Sequence, residues 1–137
     1  MSRNLIKLFG LFVAVVFVLA GCGGGSSGTT APTTVSGTAS EGKLITGKTV
    51  KLKDANGKSA VDVTTDATTG IYSIDVTGLT APFLVTVTGT NGTYVSLAQT
   101  AGTANINPIT TAIVALAAGN PDVAALFTNL TTAQLNT

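Results

Sequence analysis

From Val35 to Ile106 the chain consists of short runs that alternate apolar and polar side chains, each run closed by a turn rich in glycine, asparagine or aspartate. A period of two puts successive side chains on opposite faces of an extended strand, so this pattern specifies half-buried strands and excludes long helices. Thr49-Val50-Lys51-Leu52-Lys53 is the clearest case, with Val50 and Leu52 on one face and the lysines on the other, a solvated one. Asp54-Ala55-Asn56-Gly57 follows, and Asn-Gly supplies the positive φ that a tight hairpin needs. Ala60 to Thr65 alternates again through Val61 and Val63. After Thr69-Gly70 comes Ile71 to Val76, then the most apolar run, Phe83 to Thr88, then Thr93 to Ala98 beyond Thr90-Asn91-Gly92. With Val35 to Ala39 and a last run at Thr103 to Ile106, about seven strands are predicted. Their spacing and their valine and threonine content point to a small, mainly β, antiparallel sandwich or barrel. The expected core is Val35, Val50, Leu52, Val61, Val63, Tyr72, Ile74, Val76, Leu84 or Phe83, Val85, Val87, Tyr94 and Leu97.

The period changes at Asn107-Pro108. Asparagine caps helices and proline suits the first helical position. Ile109, Ala112, Ile113 and Leu116 then recur at helical spacing, and Gly119 is a natural C-cap. Asn120-Pro121-Asp122 repeats the start signal before Val123, Leu126, Phe127 and Leu130. Thr131 and Gln134 resemble a further capping box, which the chain leaves within a turn. The segment 107–137 is therefore expected to be a short, apolar, helical C-terminal part of the chain.

The N-terminus has the three parts of an export signal. Arg3 and Lys7 precede an uncharged, proline-free run from Leu8 to Ala20, which is 13 residues long. A membrane-spanning helix takes about 20 residues, so the run suits a signal peptide better than a permanent span. It ends in Leu19-Ala20-Gly21-Cys22, which resembles the bacterial lipobox, and Cys22 is the only cysteine of the chain. The resemblance implies a signal peptide over 1–21, cleavage after Gly21 and lipidation of Cys22. Two or more acyl chains on that residue anchor a protein stably, where one holds it marginally. Gly23 stands where inner-membrane lipoproteins commonly carry aspartate, which implies the outer membrane in a Gram-negative cell and the outer face of the one membrane in a Gram-positive cell. Residues 22–34, rich in Gly, Ser and Thr, read as a flexible tether spanning on the order of 20 Å.

The text from Val35 to Ala39, from Gly47 to Gly57 and from Thr65 to Ile74 resembles the carboxypeptidase regulatory-like family, with Ile74 in place of the usual aromatic. The resemblance implies an Ig/prealbumin-like β-sandwich over 35–106, in a family whose domains are generally accessory modules without catalytic residues. Ala104 to Thr111 also resembles the start of a helical region that continues further in some exported bacterial lipoproteins, so a fragment of a larger surface lipoprotein is one expectation for the chain.

With no histidine, and with the single cysteine assigned to lipid, the candidates for chemistry are carboxylates. Asp54, Asn56 and Asp62 faintly resemble a calcium loop, but Lys58 falls at a ligand position and a plain turn fits better. Asp66 is likewise turn chemistry. No catalytic residue, metal site or cofactor is expected. After the signal the chain keeps five lysines and no arginine against six acids, a balance that argues against nucleic acid. The expected role is a lipid-anchored, non-catalytic envelope module that binds an envelope protein or a glycan. The alternative is a carboxylate-dependent hydrolase. Ile109, Ile113, Leu116, Val123, Leu126 and Phe127 are the candidate partner-docking face, unless the helices fold back on the strands and cover it.

Overall fold

The computed structural model describes residues 31–129. The export signal, Cys22 and the Thr131–Gln134 motif lie outside the described residues. Seven strands are present: β1 (Thr34–Thr38), β2 (Thr49–Lys53), β3 (Val63–Thr64), β4 (Ile71–Asp75), β5 (Phe83–Thr88), β6 (Thr93–Ala98) and β7 (Gly102–Thr103). Two helices follow, α1 (Pro108–Ala118) and α2 (Val123–Asn129). The first sheet has the order β4-β1-β7 and the second β3-β2-β5-β6. Among the described residues no single helix is long and apolar enough to cross a membrane.

One apolar cluster draws on both sheets. Val35, Tyr72 and Ile74 of the first pack with Val50, Leu52, Val85 and Val87 of the second, joined by Ile45, Phe83 and Ile106. Gly37 of β1 sits under the chain at β7, where an added Cβ would lie 2.7 Å from the carbonyl carbon of Ala104, so only glycine fits. The hydroxyl of Tyr72 donates to the Ala104 carbonyl and ties β4 to the same stretch. A second cluster lies on the other face of the second sheet, where Leu84 and Val95 meet Val114 and Leu126 of the helices.

β5 explains the most apolar run of the sequence. It pairs with both β2 and β6, and Phe83 to Val87 are all buried. Phe83 and Leu84, offered as alternatives for the core, are both in it, on opposite faces of the strand. Tyr94 packs on the inter-sheet cluster and Leu97 on the helix-side one, for the same reason of alternating direction.

Three expectations need correction. The strands are not all antiparallel: β7 runs parallel to β1, with Val35 opposite Gly102 and Ser36 opposite Thr103. The chain passes from β6 in one sheet to β7 in the other, and only strands joined by a tight hairpin must reverse direction. The expected strand over 60–65 is shortened to Val63–Thr64. Val61, an expected core residue, is 85 % exposed. The pairing shows why. Lys53 bridges Ser59 and Val50 pairs with Val63, so three steps along β2 face four steps on its partner. That is the count of a β-bulge, and the extra residue at 61–62 reverses the alternation. Ala60 and Val63 both pack on the core, and Val61 turns out.

The helix signals operate as the residue types predict. Asn107 caps α1, its Oδ1 accepting from the N–H groups of Ile109 (2.9 Å) and Thr110 (3.0 Å). Thr110 Oγ1 accepts in return from Asn107 N–H at 3.0 Å. Gly119 ends the helix in the left-handed conformation, φ 63°. Asp122 caps α2 through the Ala125 N–H at 3.0 Å.

Candidate functional site

The carboxylates come first, because they are the side chains with reactive potential. Asp54 is buried, at 2 % exposure. Its Oδ1 accepts from the backbone N–H groups of Asn56 and Lys58, both at 2.8 Å, and its Oδ2 from Thr80 N–H at 3.0 Å. Burial pushes this carboxyl up, but the N–H groups of Thr80, Lys58 and Asn56 together outweigh it and hold the group below its ordinary value. Asp54 thus fastens the β2–β3 turn to the loop before β5. Asn56 meets Asp54 through its backbone N–H alone, and Asp62 is exposed and makes no bond to it, so the three residues of the faint calcium pattern do not converge as side-chain ligands.

Three more acids are held in the same manner. Asp66 Oδ1 accepts from Thr68 N–H (2.9 Å), Thr69 N–H (2.7 Å) and Thr69 Oγ1 (2.8 Å). Asp75 accepts from Thr77 Oγ1 (2.6 Å) and Thr77 N–H (2.8 Å). Glu41 reaches across to the β5–β6 turn, accepting from Asn91 N–H (2.9 Å) and Thr90 N–H (3.2 Å). Each of these donors favours the ionised form, led by Thr69 N–H for Asp66, Thr77 Oγ1 for Asp75 and Asn91 N–H for Glu41, and each acid sits below its ordinary range. Among the described residues no three His, Cys, Asp or Glu side chains lie together as metal ligands would.

The surface carries shallow depressions. One of about 440 Å³ lies between the edges of β3 and β4, lined by Lys58, Val61, Val63, Ser73, Asp75 and Leu79. Another, of about 350 Å³, lies over Lys48, Lys51, Thr86 and Thr88 on the outer face of the second sheet. A third, of about 220 Å³, holds Glu41 beside Lys43 and Lys48. A glycan hydrolase places two carboxyl groups about 5–10 Å apart around one bond. None of these three depressions is lined by more than one acid.

The six residues of the candidate docking face divide into two groups. Leu126 is buried under α2, with Val123 and Phe127 partly buried beside it against the second sheet. Ile109, Ile113 and Leu116 of α1 are exposed, at 73 %, 61 % and 84 %. α1 turns its other side to the protein: Val114 is buried against Leu84 and Val95, and two threonines hold the edge of β6. Val95 N–H donates to Thr111 Oγ1 at 3.0 Å, and Thr110 Oγ1 donates to the Val95 carbonyl at 2.9 Å. These bonds occupy backbone groups that an edge strand otherwise leaves open to another chain.

The alternation of β2 places Lys53 on a solvated face, whereas its side chain finishes α2. Its Nζ donates to the Phe127 carbonyl at 2.8 Å and lies 5.0 Å from the centre of the Phe127 ring. A cation at a helix C-terminus answers the partial negative charge of the free carbonyls, and the ring face adds to the attraction. Nothing in the local sequence signals a pairing across 74 positions.

No protein family, curated protein or solved structure matches this chain.

Proposed function

We propose that the chain is a lipid-anchored envelope module that works by surface contact and carries out no chemistry. On this reading residues 1–21 are an export signal, Cys22 is lipidated, and 22–34 tether a domain of the Ig/prealbumin-like, carboxypeptidase regulatory-like kind. In a Gram-negative cell its place is the outer membrane, facing envelope proteins or glycans. The observation that carries the reading is the employment of the acids. Glu41, Asp54, Asp66 and Asp75 are each bound to backbone N–H groups of turns, which employs these four carboxylates in fixing loops. The finer fold assignment is supported by the inter-sheet cluster, to which both sheets contribute. The anchor is supported by the sequence alone: a short apolar run that closes on the single cysteine.

Expression in bacteria tests the anchor directly. The wild-type chain is expected to incorporate labelled palmitate and to sediment with membranes, while Cys22→Ala loses the label. An unlabelled wild-type chain released in soluble form overturns the reading.

A further inference from the structure

The helices cover the outer face of the second sheet at Leu84 and Val95. The same sheet also carries the depression of about 350 Å³ lined by Lys48, Thr49, Lys51, Thr86 and Thr88. Lys53 lies two residues along from Lys51 on the same face of β2, and its ammonium is taken up by the Phe127 carbonyl. Lys48 and Lys51 find no counter-charge in the depression, because two cations line it and no acid does. Its floor is hydroxyl. Thr86 stands opposite Lys51 across the β2–β5 ladder, and Thr88 opposite Thr93 across β5–β6. Thr86 Oγ1 donates to the Tyr94 carbonyl at 3.1 Å, so its proton is spent. Thr88 Oγ1 and Thr93 Oγ1 lie 3.2 Å apart, and whichever donates, the other keeps a proton to give. The adjoining depression shares Lys48 and adds Lys43, and its one acid, Glu41, is bound to the N–H groups of Thr90 and Asn91.

We propose that this depression binds a phosphate group, its oxygens shared between the ammonium groups of Lys48 and Lys51 and the free hydroxyl proton of the Thr88–Thr93 pair. Each ammonium offers three donors and no acceptor, so the site is rich in donors. Two positive charges on one depression without an acid concentrate an anion there. A doubly charged oxyanion answers both features. A carboxylate is better met by the planar fork of arginine, and no arginine follows the export signal, whereas lysine meets phosphate as a point charge. No aromatic ring lines the depression, so a neutral sugar finds no ring face to stack on. The phosphate is a soluble molecule's or a lipid headgroup's, and the contacts are the same for either. The depression is open, so the contacts are few and the binding weak, with a Kd on the order of 1 mM. The site stands whether or not Cys22 is lipidated.

The test is a phosphate titration of the full chain in neutral detergent micelles, read by amide NMR shifts. Inorganic phosphate is expected to shift Lys48, Thr49, Lys51 and Thr88 saturably, while sodium chloride at equal ionic strength does not. Lys48→Gln and Lys51→Gln should each weaken binding about tenfold, the loss of one charge-assisted contact. Lys58→Gln, at a likewise exposed lysine beyond the far end of β2, should leave it unchanged. Micelles doped with phosphatidic acid separate the two sources. A response to the lipid alone assigns the site to a headgroup, and a response to inorganic phosphate assigns it to the soluble group. Shifts that chloride reproduces, or equal losses at Lys58 and Lys51, overturn the proposal, because they reduce the site to net charge. So does the lack of a saturable shift with both probes.

Discussion

Residues 41–75 and residues 76–129 solve the same problem by different means. Every charged residue of the described region except Asp122 lies in the first stretch, and between Asp75 and Asp122 there is none. Both stretches contain irregular backbone whose N–H groups need partners. In the first, carboxylates supply them: Asp54 takes those of Asn56 and Lys58, Asp66 those of Thr68 and Thr69, and Asp54 also reaches Thr80 of the second. Glu41 carries the same device across to the turn at Thr90 and Asn91. In the second, neutral groups do the work at Asn107, Thr110 and Thr111, and burial on both faces of β5 does the rest. The first stretch is thus held largely by bonds that protonation can cancel, and the second, beyond the acids' bonds to Thr77, Thr80, Thr90, Asn91 and Ala125, by contacts indifferent to pH. The neutral solution also leaves its surplus apolar surface, on α1, with no charge to guard it.

The largest effect is expected where the second stretch relies on packing alone. Leu84 is fully buried between the second sheet and the helices. Leu84→Ala should lower unfolding stability by about 3 kcal/mol, from lost transfer energy and the cavity left behind. Amide exchange should rise most in α1 and α2, which this cluster holds. A loss below about 1 kcal/mol, with helix protection unchanged, would show that the helices do not depend on the cluster.

Next in size is the buried carboxylate of the first stretch. Asp54→Ala strands three backbone N–H groups and should cost about 2 kcal/mol in urea unfolding, the penalty of leaving buried donors unmade. Acid should act through the same group and its exposed counterparts. Unfolded, these acids ionise near 3.8 for Asp and 4.5 for Glu, and folded, each ionises at lower pH. A depressed folded value gives stability that is complete above the unfolded value and is lost as pH falls through the folded one. The melting temperature should therefore hold steady from neutrality to about pH 5 and decline below about pH 4. Asp54→Asn should begin less stable and decline less. A melting temperature that rises on acidification contradicts the comparison.

How much of this was legible in the sequence follows the range of the interactions. The alternation through Val50 and Leu52 and the caps at Asn107 and Gly119 are local, and they sit where the residue types predict. The glutamate at 41 meets its donors 49 and 50 positions away, and no local pattern announces it. α1 is the instructive case. Its helical period marks Ile109, Ile113 and Leu116 as one apolar stripe, a docking face unless the helices cover it, and the stripe stays exposed. The sequence leaves open which side packs; the side of Val114 does, because Thr110 and Thr111 also satisfy the edge of β6, and hydrogen-bond demand is invisible to a count of apolar residues. Val95 of β6 is missing from the expected core for a related reason: its face is covered by helices, not by a sheet.

The smallest effect tests the bulge. Two valines two positions apart share one strand pattern, yet Val63 packs against the core and Val61 is 85 % exposed. Val61→Ser should shift unfolding stability by no more than about 0.5 kcal/mol, as a surface change away from any packed group does. Val63→Ser, the same chemistry on the inward side, should cost more than its neighbour by about 1 kcal/mol, the order of a partly buried aliphatic side chain lost. If the two substitutions cost the same, Ser59 to Val63 keeps simple register with β2, and the extra residue opposite Lys51 is not a bulge. If they differ, the one place where alternation misreads the first stretch is a matter of register, fixed by the partner strand and not by side-chain preference.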